Sequence, residues 1–214
     1  MEVTYNTFKR VDNMKPFLIR TRIFFKQGLL PTVYTLMFLI MFILPFFSVN
    51  EYSILKNTTS HLGAQGAPYA WVMNLVFALL GIAAVVDGWV RLQKFWLHKV
   101  VLTIFGISLI LVAFFQHAPI VSGVEFSALE DDLHSKFATT IGYSFVFFAI
   151  SAAFIELTRI RSVIAAGMGI IAILLSMLIF NVSELAGVWQ RLMFIIMFAW
   201  LMFFLYARTR DVHV

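Results

Sequence analysis

The chain has 214 residues, 61% of them hydrophobic and 13% charged, where an ordinary soluble domain carries about 25% charged residues. That balance, with 24 phenylalanines, argues against a soluble globular fold and makes lipid the expected solvent for most of the chain. The net charge of +5 calls for no nucleic-acid partner, because most Lys and Arg stand beside apolar runs, and the absence of cysteine excludes disulfides, zinc-thiolate sites and thiol catalysis.

Residues 1–28 form a basic N-terminal arm in which Lys9, Arg10, Lys15, Arg20, Arg22 and Lys26 interrupt every apolar stretch. No signal-peptide core is present in it, so no cleavage is expected. The arm reads as a topogenic tail, or as a segment lying along the inner headgroup layer.

Six apolar runs follow, at about 29–47, 68–90, 100–115, 137–157, 162–180 and 185–206. Each is near the ~20 residues that cross a ~30 Å hydrocarbon core. The expectation is an all-α polytopic membrane protein: a six-transmembrane-helix bundle over 29–206 with a short tail, 207–214. Thirteen of the sixteen Lys and Arg fall on one side of these runs; Lys56, Lys136 and Arg191 are the other three. That bias places both termini in the cytoplasm. Small residues predict close helix contacts at Ala138 with Gly142 and at Gly167 with Gly169.

The outward connections, about 49–67 and 116–136, are the long ones, and functional side chains tend to lie on such loops. In Thr59-Ser60-His61-Leu62-Gly63-Ala64-Gln65 a glycine turn can present Ser60 and His61 together, or Ser60 and Gln65 can satisfy free backbone donors while Trp71 anchors the next helix. In Glu130-Asp131-Asp132-Leu133-His134, Asp131 and His134 share a helix face, a spacing that suits a metal or a carboxylate-held general base. The acids also suit a helix N-terminus with no ligand at all. His117 closes the third run at the same level. His61, His117 and His134 with a nearby carboxylate fit a zinc-like divalent ion; solvated interface histidines are the alternative. Glu184 and Arg191 lie two turns apart on one stripe, so Arg191 either pairs with an acid or binds an anionic headgroup.

These motifs come in a familiar order. Ser60-His61-Leu62-Gly63 with Trp71-Val72-Met73-Asn74 resembles the S-x-L-G and W-x-M-N region of a prokaryotic membrane family, domain of unknown function 998. His134 followed by Ala138 is similar to its H-x-x-x-A pattern, and Gly187 to Arg191 to its G-x-x-x-R element. The chain departs from the family's F-P-x-D element, with Phe115-Gln116-His117-Ala118-Pro119 in its place. The resemblance implies a six-helix bundle and no established activity.

Two functions are expected from the residues. In the first, an outward site binds or processes a lipid or other amphipathic molecule: Asp131, Glu130 and Ser60 catalytic, Arg191, Glu184, Gln65 and Asn74 ligand-binding, and His61, His117 and His134 metal-binding, one version being a metal-dependent hydrolase. In the second, the protein is a non-catalytic membrane subunit, such as a sensor, a resistance or immunity factor, or a partner of another membrane protein. The expected location is a prokaryotic plasma membrane.

Overall fold

The computed structural model describes residues 28–211, with side chains through residue 207; the expectations for the basic arm fall outside the described residues. Seven α-helices follow one another: α1 (Leu30–Ile43), α2 (Thr59–Leu62), α3 (Ala70–Arg91), α4 (Trp96–Phe114), α5 (Ala128–Ala152), α6 (Arg159–Asn181) and α7 (Ala186–Asp211). A 3-10 turn, Leu44–Phe47, extends α1, and another, Ser183–Leu185, precedes α7. There is no strand among the described residues.

Local chemistry sets the boundaries. Pro31 sits in the first turn of α1, where its missing N–H costs no hydrogen bond, and Pro45 tightens the end of that span into the 3-10 turn. Among the described residues, five segments are long and apolar enough to cross a membrane: Leu30–Phe47, Ala70–Arg91, Trp96–Phe114, Arg159–Asn181 and Ser183–Ala207. The sixth long helix, α5, differs from the expected run 137–157. It begins nine residues earlier, because the Ser127 side chain accepts the Glu130 N–H at 3.3 Å and Glu130 and Asp131 occupy its first turn, where the helix dipole favours acids. It ends at Ala152, so only 137–152 is apolar.

The helices α1, α3, α4, α5, α6 and α7 each pack on the next, and α7 returns to α1 and α3 to close the bundle. The last helix is its hub. Phe194 packs on Phe77 of α3, Phe198 on Tyr34 of α1 and Phe105 of α4, and Trp200 and Phe204 on Phe148 of α5. Large apolar side chains cover the outside: Phe154 is 85% exposed and Phe180 81%, as lipid contact requires.

A close backbone approach joins α3 to α4. A Cβ on Gly106 would lie 2.6 Å from the Gly81 carbonyl oxygen, and one on Gly81 would collide with that of Gly106. Small residues do make helix contacts, but mostly away from the expected positions: Gly142 and Gly167 face open space. Only Gly169 of the expected set is packed, against Ile150.

At the end of the bundle opposite α2, the buried Asp87 carboxylate accepts the Leu29 and Leu30 N–H groups at 3.1 and 2.8 Å and the Tyr206 hydroxyl. It thereby caps the start of α1 from α3 and ties both to α7. The Arg91 guanidinium lies 3.5 Å over the Tyr206 ring.

Candidate functional site

The other end of the bundle carries a polar cap built from the loop 48–58, α2, the loop 115–127 and the first turns of α5 and α7. A one-turn helix such as α2 cannot hold itself, and the cap is fixed by side chains reaching between its parts.

Arg191 is 4% exposed. Its Nη1 donates to the carbonyls of Ile54, Asn57 and Gly187 at 2.9, 3.0 and 2.9 Å, its Nη2 to the Tyr52 hydroxyl at 2.6 Å, and its Nε to Met41 at 3.4 Å. Carbonyl oxygens and a phenol thus solvate this buried charge. Glu184, two turns away on the same stripe, pairs with Lys56 on the surface, and Arg191 is enclosed by protein groups. Gly187 explains its place one turn earlier, since a Cβ there would collide with the Asn57 carbonyl and crowd that of Ile54 at 2.5 Å.

Gln65 and Asn74 likewise serve the cap. The Gln65 side-chain amide donates to the Gln116 and Ser127 carbonyls, both at 3.0 Å, and accepts the Ser127 N–H at 2.7 Å, so it joins the two long loops rather than capping α3. Asn74 donates to the Gly63 carbonyl at 3.0 Å, and a Cβ on Gly63 would strike the Asn74 side chain. Tyr69, at the start of α3, takes a left-handed conformation at φ 55°. Its ring packs edge-on against Phe47.

The three histidines do come together. The His61 and His117 rings lie 4.6 Å apart between centroids, and those of His117 and His134 5.2 Å apart. Asp131 does not partner His134, its neighbour one turn on. Its Oδ1 accepts the Ala118 N–H at 2.7 Å and stands 3.3 Å from His117 Nδ1. Glu130 reaches the Gln116 N–H at 3.4 Å. No hydrogen bond joins the Ser60 hydroxyl to an imidazole among the described residues.

Partners assign the ring protons. His134 Nδ1 faces the Phe115 and Val112 carbonyls at 2.8 and 3.2 Å, and His117 Nδ1 faces Asp131 and, at 3.2 Å, the Ala118 carbonyl. Both Nδ1 atoms therefore carry protons, and both Nε2 atoms keep lone pairs. His61 is reversed: its Nδ1 accepts the Thr58 N–H at 3.1 Å, which puts its proton on Nε2. His61 takes the place that Glu usually holds in a helix-start capping box.

Burial lowers the His61 pKa from the ordinary 6.5 to about 4, with His117 and His134 adding repulsion and Asp131 opposing. Burial also lowers that of His134, against the Phe115 carbonyl that favours the charged ring. Burial thus favours the neutral ring at His61 and His134, and the pair His117 and Asp131, about 30% exposed, forms the open side of the file.

No group of three His, Asp or Glu placed to hold a metal occurs among the described residues. The expected set His61, His117 and His134 stands as a file of neighbouring rings. Tyr52, Asn57, Thr58 and Gln190 were not among the residues expected at the site. Thr58 was readable in principle, as a Thr three residues before a side-chain acceptor.

A family model described as "Protein of unknown function (DUF998)" matches residues 32–207, a span that takes in α2 to α6 and most of α1 and α7. No curated protein and no solved structure matches the chain. The apolar helices and the family match together identify a multi-pass membrane protein belonging to the DUF998 family.

Proposed function

We propose that α1 and α3 to α7 form six spans with both termini on the cytoplasmic side of a prokaryotic plasma membrane, so that the histidine cap faces outward. The sorting of Lys and Arg supports this orientation, and an even number of crossings brings both ends to one side. In this reading α5 crosses with a short apolar stretch, its polar first turns standing in the headgroup region.

At the cap, the His117–Asp131 pair is the reactive element. Asp131 holds His117 Nδ1–H and would stabilise the imidazolium formed when Nε2 takes a proton, the arrangement of a general base. His61, with its proton on Nε2, supplies a hydrogen-bond donor beside it. The ligand is an amphipathic molecule at the outer interface: the pair stands at the rim of a lipid-exposed bundle, where a polar head meets the imidazoles while its apolar part stays in the bilayer. The observation that carries this reading is the 3.3 Å contact of Asp131 with His117 inside the histidine file.

Mass spectrometry of small molecules retained by protein purified into nanodiscs tests it. The wild type should retain or convert an amphipathic species that His117→Ala and Asp131→Asn do not. Asn at 131 can still accept the Ala118 N–H, so that variant changes the charge and spares the loop. Identical profiles for all three would overturn the reading.

A second reading, a non-catalytic membrane subunit, is favoured by one observation. Arg191, Gln65, Glu130 and Asn74 are all bonded to the cap's own backbone, as in a rigid recognition surface. Identical profiles with a stoichiometric co-purifying membrane protein would support it.

A further inference from the structure

We infer that Gln190 is a positioning residue for His61: acting through Thr59, it holds α2 in the shape that keeps the His61 ring proton on Nε2, beside His117. The inference rests on reading the histidine file as the site.

Thr59 is wholly buried, and both its N–H and its hydroxyl donate to Gln190 Oε1, at 2.6 and 2.7 Å. Thr59 is the first residue of α2, and the residue before it, Thr58, supplies the N–H that fixes His61 Nδ1 as an acceptor. The Thr58 hydroxyl lies 2.8 Å from the same nitrogen. A helix of four residues has too few internal hydrogen bonds to keep that N–H aimed at the ring. What keeps it there is α7. Gln190 holds Thr59 directly, and the next residue, Arg191, binds the Asn57 carbonyl and the Tyr52 hydroxyl. Tyr52 in turn donates to the Asn57 and Thr58 carbonyls at 3.2 and 3.1 Å.

Thr58 is thus bracketed on both sides by residues anchored to one turn of the last helix. Without the Gln190 oxygen, two buried donors of Thr59 lose their acceptor and must seek water, and the first turn of α2 opens. The Thr58 N–H then leaves His61 Nδ1, and both ring nitrogens become free to hold the proton. The position 190 side chain needs an acceptor oxygen for this task and no donor, so Gln190→Glu should keep the arrangement and Gln190→Leu should lose it.

The test is ring ¹⁵N NMR of full-length protein labelled in its histidines and held in nanodiscs, with the His61 signal assigned by its loss in His61→Gln. The wild type and Gln190→Glu should show a single His61 tautomer, protonated on Nε2, from pH 5 to 8. Gln190→Leu should show mixed tautomers and titrate near the ordinary imidazole range. Thr59→Val, which removes only the hydroxyl donor, should shift the mixture part of the way and guards against a Gln190→Leu protein that does not fold. A single unshifted tautomer in folded Gln190→Leu, or in Thr59→Val if Gln190→Leu does not fold, would overturn the inference. The readout needs no ligand: a tautomer that shifts as expected while the retained molecules stay the same would sink the functional reading and leave the positioning role standing.

Discussion

Gly187 and Arg191, one turn apart on the last helix, serve the same two carbonyl groups. The missing side chain of Gly187 lets Ile54 and Asn57 come against α7, and Arg191 Nη1 binds both, at 2.9 and 3.0 Å. The four-residue spacing of Gly187 and Arg191 therefore describes one joint, a gap and the cation that fills its rim.

Each half of that joint should be costly to remove. Gly187→Ala should destabilise the protein by about 1–3 kcal/mol through overpacking. Arg191→Ala should cost about 2–4 kcal/mol, because several buried acceptors lose a charged donor. The double variant should cost less than the sum, since both act on the same carbonyls. Thermal unfolding in detergent measures all three. Gly142→Ala, whose Cβ would meet open space, should be neutral or gain up to about 1 kcal/mol.

Acid should loosen the cap. His61 has a folded-state pKa of about 4 against an ordinary 6.5, so between those values the unfolded chain binds more protons than the folded one, and stability falls as pH falls. The contribution is complete above about pH 6.5 and declines through the window down to about 4; the lowered pKa of His134 acts in the same direction. Melting temperatures at steps from pH 7 to pH 4 should drop for the wild type and drop less for His61→Gln. Parallel curves would contradict the assignment.

The orientation is testable because the chain contains no native cysteine. Ser122→Cys in the loop before α5 and Gln93→Cys in the turn after α3 are both at exposed positions. In intact cells a membrane-impermeant maleimide should label the first and reach the second only after lysis. The reverse pattern would place the histidine cap inside.

At the opposite end, Asp87→Ala should leave the Leu29 and Leu30 N–H groups and the Tyr206 hydroxyl without their acceptor, at a cost of about 2–4 kcal/mol. Tyr206→Phe removes one of those donors and should cost about 1–2 kcal/mol. Protection of the α1 amides from hydrogen exchange should fall in the first variant and hold in the second.

Sequence reading recovers the parts of this fold that follow from medium and period. Apolar length finds α1, α3, α4, α6 and α7 to within a few residues, because a bilayer fixes how much hydrophobic chain a span needs. It fails at α5, where Ser127 and its following acids start a helix in polar sequence and no hydropathy marks the onset. It fails again for the glycines. Gly81 and Gly106 are isolated in the chain, and only the crossing of two helices shows that they face each other. At the cap, the type and level of His61, His117 and His134 were legible, but their roles were not. Whether Arg191 meets an acid or a ring of carbonyls, and whether Asp131 turns to His134 or to His117, depends on how loops far apart in sequence fold back onto the helix ends.

The hub position of α7 bears on how the molecule is made. Synthesis delivers this helix after α1 to α6, yet Phe194, Phe198, Trp200 and Phe204 are the side chains that those helices close around. Until α7 is made, Asp87 lacks the Tyr206 hydroxyl and the loop 48–58 lacks the Arg191 side chain. Biogenesis of this bundle therefore finishes in a single late event, and a chain cut short before Ala186 should be held by membrane insertases or degraded instead of settling into a smaller native form.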